Sequence, residues 1–106
     1  MAKRFKKSKQ FAIAEIIDVQ NENCTALEKE NLLDIFEYTM KSMACTLASK
    51  SWYALEDYGT AKQRGIDQFT LMMERKDSLD GDDYFWVGVF ENGDKRLEVM
   101  GILVDE

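Results

Sequence analysis

Two apolar runs, YFWVGVF and KRLEVMGILV, stand either side of Asn92-Gly93. No other stretch constrains the fold so tightly, because a two-residue loop with an Asn-Gly step closes antiparallel strands whose twist it matches. The loop predicts a hairpin pairing Phe90 with Lys95, Gly88 with Leu97 and Trp86 with Val99. Side chains alternate across a strand, so Tyr84, Trp86, Leu97 and Val99 then share one face. The other face carries Phe85, Val87, Val89 and Met100 beside Arg96 and Glu98. Both faces of the central strand are therefore apolar, and the second needs a cover: a further helix, a copy of the chain or a partner.

Upstream, Phe69, Leu71 and Met73 alternate with Gln68, Thr70 and Met72, which predicts a third strand ahead of the hairpin. The intervening DSLDGDD reads as an Asp- and Gly-rich turn. It lacks the ligand order and closing Glu of a calcium loop, so no metal is assigned to it.

A different period governs the middle of the chain. Leu32, Phe36, Met40, Met43 and Leu47 recur every three or four residues, widened by Leu33 and Ala44, while Glu30, Asp34, Glu37 and Lys41 fall off that stripe. Thr25 and Glu28 fit a capping box, in which each side chain satisfies an orphan backbone N–H of the first turn. A helix from Thr25 follows. It either continues through Trp52 and Leu55 to Gly59 or breaks near Ser49–Ser51.

Residues 11–19 fit two periods. As a strand they align Phe11, Ile13, Ile17 and Val19 but place Glu15 among them. As a helix capped by Ser8 they gather Ala12, Ile13, Ile16, Ile17 and Val19 opposite Glu15 and Asp18. The helical reading keeps both acids off the apolar face and is preferred. The expected fold is α+β: one or two N-terminal helices packed on a C-terminal three-stranded antiparallel β-meander.

At 106 residues, with 45% hydrophobic and 32% charged, the chain suits one ordinary domain with one core. Its charge is uneven. Residues 1–10, MAKRFKKSKQ, form a basic tail with Lys3, Arg4, Lys6, Lys7 and Lys9 and no acid. The acidic domain of residues 11–106 holds the remaining 9 basic residues against 20 acidic ones, a charge of −11. Such a body repels nucleic acid and attracts basic surfaces. Cys24 and Cys45 are too few for a disulfide scaffold and point to free thiols in a cytoplasmic protein, where the sequon Asn23-Cys24-Thr25 has no meaning. FAIAEIIDV is short and interrupted by acids, unlike a leader, and no run reaches the roughly 20 apolar residues that span a bilayer.

Catalysis finds little footing. Histidine is absent and the 6 glycines are scattered, so there is neither the usual proton-transfer base nor a phosphate loop. Cys24 precedes a helix N-terminus, where a thiolate is stabilised, but has no base. No catalytic residue, cofactor or metal is assigned, and the chain is read as a non-enzyme.

The leading expectation is an acidic protein-binding module of inhibitor, immunity or anti-defence type that occludes a basic site on a partner, such as a nucleic-acid-handling enzyme. Glu28, Glu30, Asp34 and Glu37 would supply attraction, with Asp77, Asp80, Asp82 and Asp83 as a second acidic group that could mimic nucleic acid. Phe85, Val87 and Val89 would supply desolvated contacts, among aromatics (Trp52, Tyr53, Tyr58, Tyr84, Trp86, Phe90) that mostly read as core. The alternative is a nucleic-acid-binding protein using Lys3, Arg4, Lys6, Lys7 and Lys9 as phosphate contacts, with Phe5 stacking. A homodimer through the second sheet face is a third possibility.

Overall fold

The computed structural model describes residues 13–43, 50–55, 65–77 and 84–104. Strand β1 (Ile13–Glu22) leads to helix α1 (Ala26–Met43), then β2 (Lys50–Ala54), β3 (Thr70–Asp77), β4 (Tyr84–Asn92) and β5 (Lys95–Val104). The strands form one sheet in the order β1-β5-β4-β3-β2, and each neighbouring pair is antiparallel. The expected three-stranded meander is therefore the middle of a five-stranded sheet. The expectation of one or two helices on three strands is corrected, among the described residues, to one helix on five strands.

The two added strands sit at the edges. β1 pairs with the last strand, so α1 must carry the chain from one edge of the sheet to the other. Its 18 residues suffice: at about 1.5 Å per residue they span about 27 Å, against about 19 Å for four strand spacings. The chain then returns through β2, β3 and β4 to β5 beside β1.

β1 replaces the helix expected near residues 11–19, and its defect explains the misreading. A bulge lies between Ile16 and Asp18, with Ile17 as the extra residue. Ala14, Ile16 and Val19 consequently turn toward the core at spacings of two and three, which imitates part of a helical period. Residues 11 and 12, with the proposed cap Ser8, lie outside the described residues. β2 decides the second open point: the chain is a strand by Lys50, which agrees with the alternative of a break near Ser49–Ser51 and not with a helix through Trp52.

The helix begins as the capping box predicts. The Glu28 N–H donates to Thr25 Oγ1 at 3.1 Å, and the Thr25 N–H donates to Glu28 Oε1 at 2.8 Å. Leu32, Ile35, Phe36, Met40 and Met43 then face the sheet and are buried against Leu71, Met73, Trp86, Phe90, Leu97 and Val99. Thr39, buried on the same side, donates its hydroxyl to the Ile35 carbonyl at 2.8 Å. Leu47 of the expected stripe lies outside the described residues. Phe69 is buried as expected, just ahead of β3.

The hairpin register also needs correction. Asn92 pairs with Lys95, Phe90 with Leu97, Gly88 with Val99 and Trp86 with Gly101. The loop is thus Gly93-Asp94. Gly93 has φ of 62° and Asp94 is not in the positive-φ region, the pattern of a II′ turn, which takes glycine first. The slip from the expected pairing is two residues, so every side chain keeps its face. Trp86, Leu97 and Val99 are buried together as expected.

Candidate interaction surfaces

The sequence assigns one partner-binding surface to two sets of residues, and the fold puts those sets on opposite sides. Helix α1 covers the face of Trp86, Gly88 and Phe90. Phe85, Val87 and Val89 alternate with these and face away, while Glu30, Asp34 and Glu37 lie on or beside the outer side of the helix. The two sets do not form one contact surface.

Glu28 leaves the outer set altogether. Besides closing the capping box it accepts a hydrogen bond from Lys95 Nζ at 2.7 Å, tying the helix start to the start of β5. The Lys95 ammonium, then the Thr25 N–H, hold the Glu28 carboxyl below its ordinary range, and the same bond raises Lys95. Glu28 is a structural acid.

The outer line of α1 reads Leu27, Glu30, Asp34, Tyr38 and Lys41, with Glu37 alongside at the margin. Leu27 and Tyr38 are each 62% exposed, although both are large enough to belong in a core. Glu30 and Asp34, about one turn apart, lie between them. Helical spacing alone places the acids there, but Leu27 and Tyr38 were not among the residues expected at an interface. Their position opposite the Leu32–Phe36–Met40 stripe was the available signal.

The second surface is the sheet face turned from the helix. Its centre is Phe85, Val87 and Val89 of β4 with Met72 of β3 and Met100 and Ile102 of β5, all half-buried. Val87 stands between Glu74 and Met100, and Val89 between Met72 and Glu98. The most exposed large apolar residues of this side lie at its two edges. Ile13 (48%) and Ile17 (52%) are on β1, and Trp52 (63%) is on β2. Among the described residues no element lies over this face.

Charges rim it unevenly. The β1–β5 flank carries Glu15, Asp18, Glu22 and Glu98, with Arg96 paired to Glu98 at 3.1 Å and to Glu91 at 3.6 Å. The β3 flank carries Lys76, 3.7 Å from Glu74. These pairs are partly solvated and contribute little to stability.

The remaining candidates add no chemistry. Cys24 is buried, and burial followed by the nearby Glu28 charge pushes its thiol up, away from the thiolate expected at a helix start. Its backbone is fixed by Asn21, whose side chain accepts from the Cys24 N–H at 3.0 Å and donates to the Cys24 carbonyl at 3.1 Å. Asp77 ends β3 opposite Tyr84, whereas Asp80, Asp82, Asp83, Tyr58 and Cys45 lie outside the described residues, as do Lys3, Arg4, Lys6, Lys7 and Lys9. Among the described residues no group of His, Cys, Asp and Glu could hold a metal ion. No described helix is long and apolar enough to cross a membrane. No protein-family model, characterised protein or solved structure matches the chain.

Proposed function

We propose that the chain is a non-enzymatic binding module whose helix α1 docks on a basic, recessed site of a partner protein and blocks it. The observation that carries this reading is the outer line of α1, where exposed Leu27 and Tyr38 bracket Glu30 and Asp34. A large aromatic and a leucine held in water gain most by entering apolar pockets, and tyrosine is a frequent anchor of protein interfaces. The carboxylates between them select a basic rim.

The acidic body adds range. A charge of −11 over residues 11–106 steers the module toward a positive cleft before contact, which raises the association rate more than the final affinity. A nucleic-acid-handling enzyme fits this description, since its working surface is a positive groove. Inhibition would be steric, with the helix occupying that groove.

The test begins with capture of partners by the tagged full chain from lysate split into nuclease-treated and untreated halves, using wild type, L27S/Y38S and E30Q/D34N/E37Q. A protein held by wild type and lost by both variants is then purified and its association timed. The expected result is association slowed on the order of tenfold between low and high salt, and slowed similarly by E30Q/D34N/E37Q at low salt. Salt-independent association overturns the reading. So does recovery that disappears with nuclease, which would transfer the function to the basic residues Lys3, Arg4, Lys6, Lys7 and Lys9.

A further inference from the structure

We infer that the sheet face turned from α1 is the seat of the chain's own N-terminal segment, residues 1–12. The segment runs back antiparallel to β1, over the β1–β5 side of that face, and its bases are thereby withheld from nucleic acid. The inference concerns the opposite side of the molecule from the helix line and stands independently of it.

Charge selects the occupant. The registers assign the face six acids, Glu15, Asp18, Glu22, Glu74, Glu91 and Glu98. Against them stand Lys50, Lys76 and Arg96, which leaves six negative against three positive, a net −3. Lys76 and Arg96 are already paired with acids of the same face. Glu15, Asp18 and Glu22 are exposed and have no ion-pair partner among the described residues. A surface that is apolar at its centre and acidic along one edge selects a basic segment with large apolar side chains. MAKRFKKSKQFA has that composition: Lys3, Arg4, Lys6, Lys7 and Lys9 with no acid, plus Phe5 and Phe11. Of the other stretches outside the described residues, 44–49 is uncharged, 56–64 carries two acids and two bases, and 78–83 and 105–106 are acidic.

The order of the charges fixes the direction. Glu15 pairs with Ile102 and Glu22 with Arg96, so the acids of β1 extend over six residue steps of β5, about 20 Å. Lys9 and Lys3 are also six steps apart, about 20 Å when extended. The outward positions of β1 read Glu15, Asp18, Gln20 and Glu22, and alternate residues of the segment read Lys9, Lys7, Phe5 and Lys3. The one uncharged position of each series coincides. Phe5 then falls beside Gln20, level with Val89, while the lysines meet the three acids.

The connection suits this path. β1 begins at Ile13 on the same edge, and residues 10–12 supply the reversal, an ordinary length for joining antiparallel segments. The reversal returns Phe11 over Ile13 and Ile17, which are otherwise 48% and 52% exposed. Each solvated ion pair is weak alone. Tethering raises the local concentration of the segment at the face, so that several weak contacts hold together. Nucleic acid must displace the segment before engaging its bases, and the two events are therefore coupled.

Carbodiimide coupling of the full chain, with peptide mapping of the monomeric product, tests the placement. Lysines of residues 3–9 should form amide cross-links to Glu91 and Glu98 at least about tenfold more often than to Glu30, Asp34 and Glu37 on the opposite side. Equal yields on the two sides overturn the inference. So do cross-links confined to a dimeric product, which would give the face to a second copy. Cross-links confined to Glu15, Asp18 and Glu22 would set the segment beside β1 in the plane of the sheet and also overturn it. The coupling is read with a labelled single-stranded oligonucleotide at low salt. E15Q/D18N/E22Q should bind it at least about tenfold more tightly than wild type, because the bases are released. E30Q/D34N/E37Q changes the net charge equally and should tighten binding by no more than about threefold. Equal gains in the two variants would mean that net charge alone governs binding, and would overturn the inference.

Discussion

The ring of Phe36 rests directly on the bare backbone of Gly88. A Cβ at that glycine would fall 2.6 Å from Phe36 Cδ1 and 2.8 Å from Cε1. The same ring lies over Gly101, where a Cβ would meet Phe36 Cε2 at 2.8 Å and the Glu15 carbonyl oxygen at 3.1 Å. Two glycines on adjacent strands thus clear a seat for one aromatic side chain, and that seat sets how closely α1 approaches the sheet.

Gly88→Ala should therefore destabilise the fold by about 1–3 kcal/mol, the range for overpacking a filled core. The penalty should shrink in a Phe36→Leu background, where the clashing ring atoms are gone. Urea midpoints of the two single variants and the double variant check this. Strict additivity would mean that Phe36 is not what Gly88 accommodates.

Glu28 and Lys95 predict a pH dependence whose sign is fixed by the direction of their shifts. Glu28 titrates below its ordinary value of 4.5 in the folded state, so its bonds to Lys95 and Thr25 stabilise the fold fully above that value. That contribution is lost as pH falls through the lowered folded value. Lys95 is raised above 10.5 and loses its contribution only on the alkaline side. The stability difference between wild type and Glu28→Gln should be largest near neutrality and narrow below about pH 4.5. Thr25→Ala, which removes the other half of the box, should cost about 1 kcal/mol at neutral pH. Denaturation midpoints from pH 7 to pH 3 measure both.

Trp86 is buried, and its indole N–H has no hydrogen-bond acceptor among the described residues. An unpaired buried donor costs about 1–3 kcal/mol, which offsets part of what the large ring contributes. Trp86→Phe removes that donor at the price of a small void and should change stability by less than about 1 kcal/mol. Trp86→Ala should lose about 3–5 kcal/mol. Thermal melts rank the two, and a Phe variant as poor as the Ala variant would show that the indole nitrogen is satisfied.

What could be read from the sequence, and what could not, follows from how local each signal is. The capping box, the Leu32–Phe36–Met40–Met43 stripe and the alternation through Trp86, Leu97 and Val99 are set by neighbours in the chain, and each appears in the fold. β1 was missed because its orientation depends on pairing with β5, at the far end of the chain, and because the extra Ile17 breaks the two-residue period. β2 was missed because KSWYA is short and Trp52 faces water. The candidate sites divide in the same way: Glu30, Asp34 and Glu37 could be placed on an outer helix face from spacing alone. That Glu28 meets Lys95, and that Val87 lies behind the sheet from those acids, are facts of tertiary arrangement with no local trace.

The turn offers the sharpest test of the register. With Gly93-Asp94 as the loop, Asn92 is the last residue of β4 and pairs with Lys95, so it needs no turn-forming side chain. Asn92→Thr supplies a better strand former and should lie within about 0.5 kcal/mol of wild type or above it. Gly93, at φ 62°, occupies the first central position of the turn, where an L side chain is strained. Gly93→Ala should lose about 1 kcal/mol or more. The Asn-Gly loop expected from sequence demands positive φ at both residues and would make Asn92→Thr the worse of the two. Melting temperatures in that reversed order would return the hairpin to the Phe90–Lys95 pairing and move every cross-strand partner on β5 by two residues.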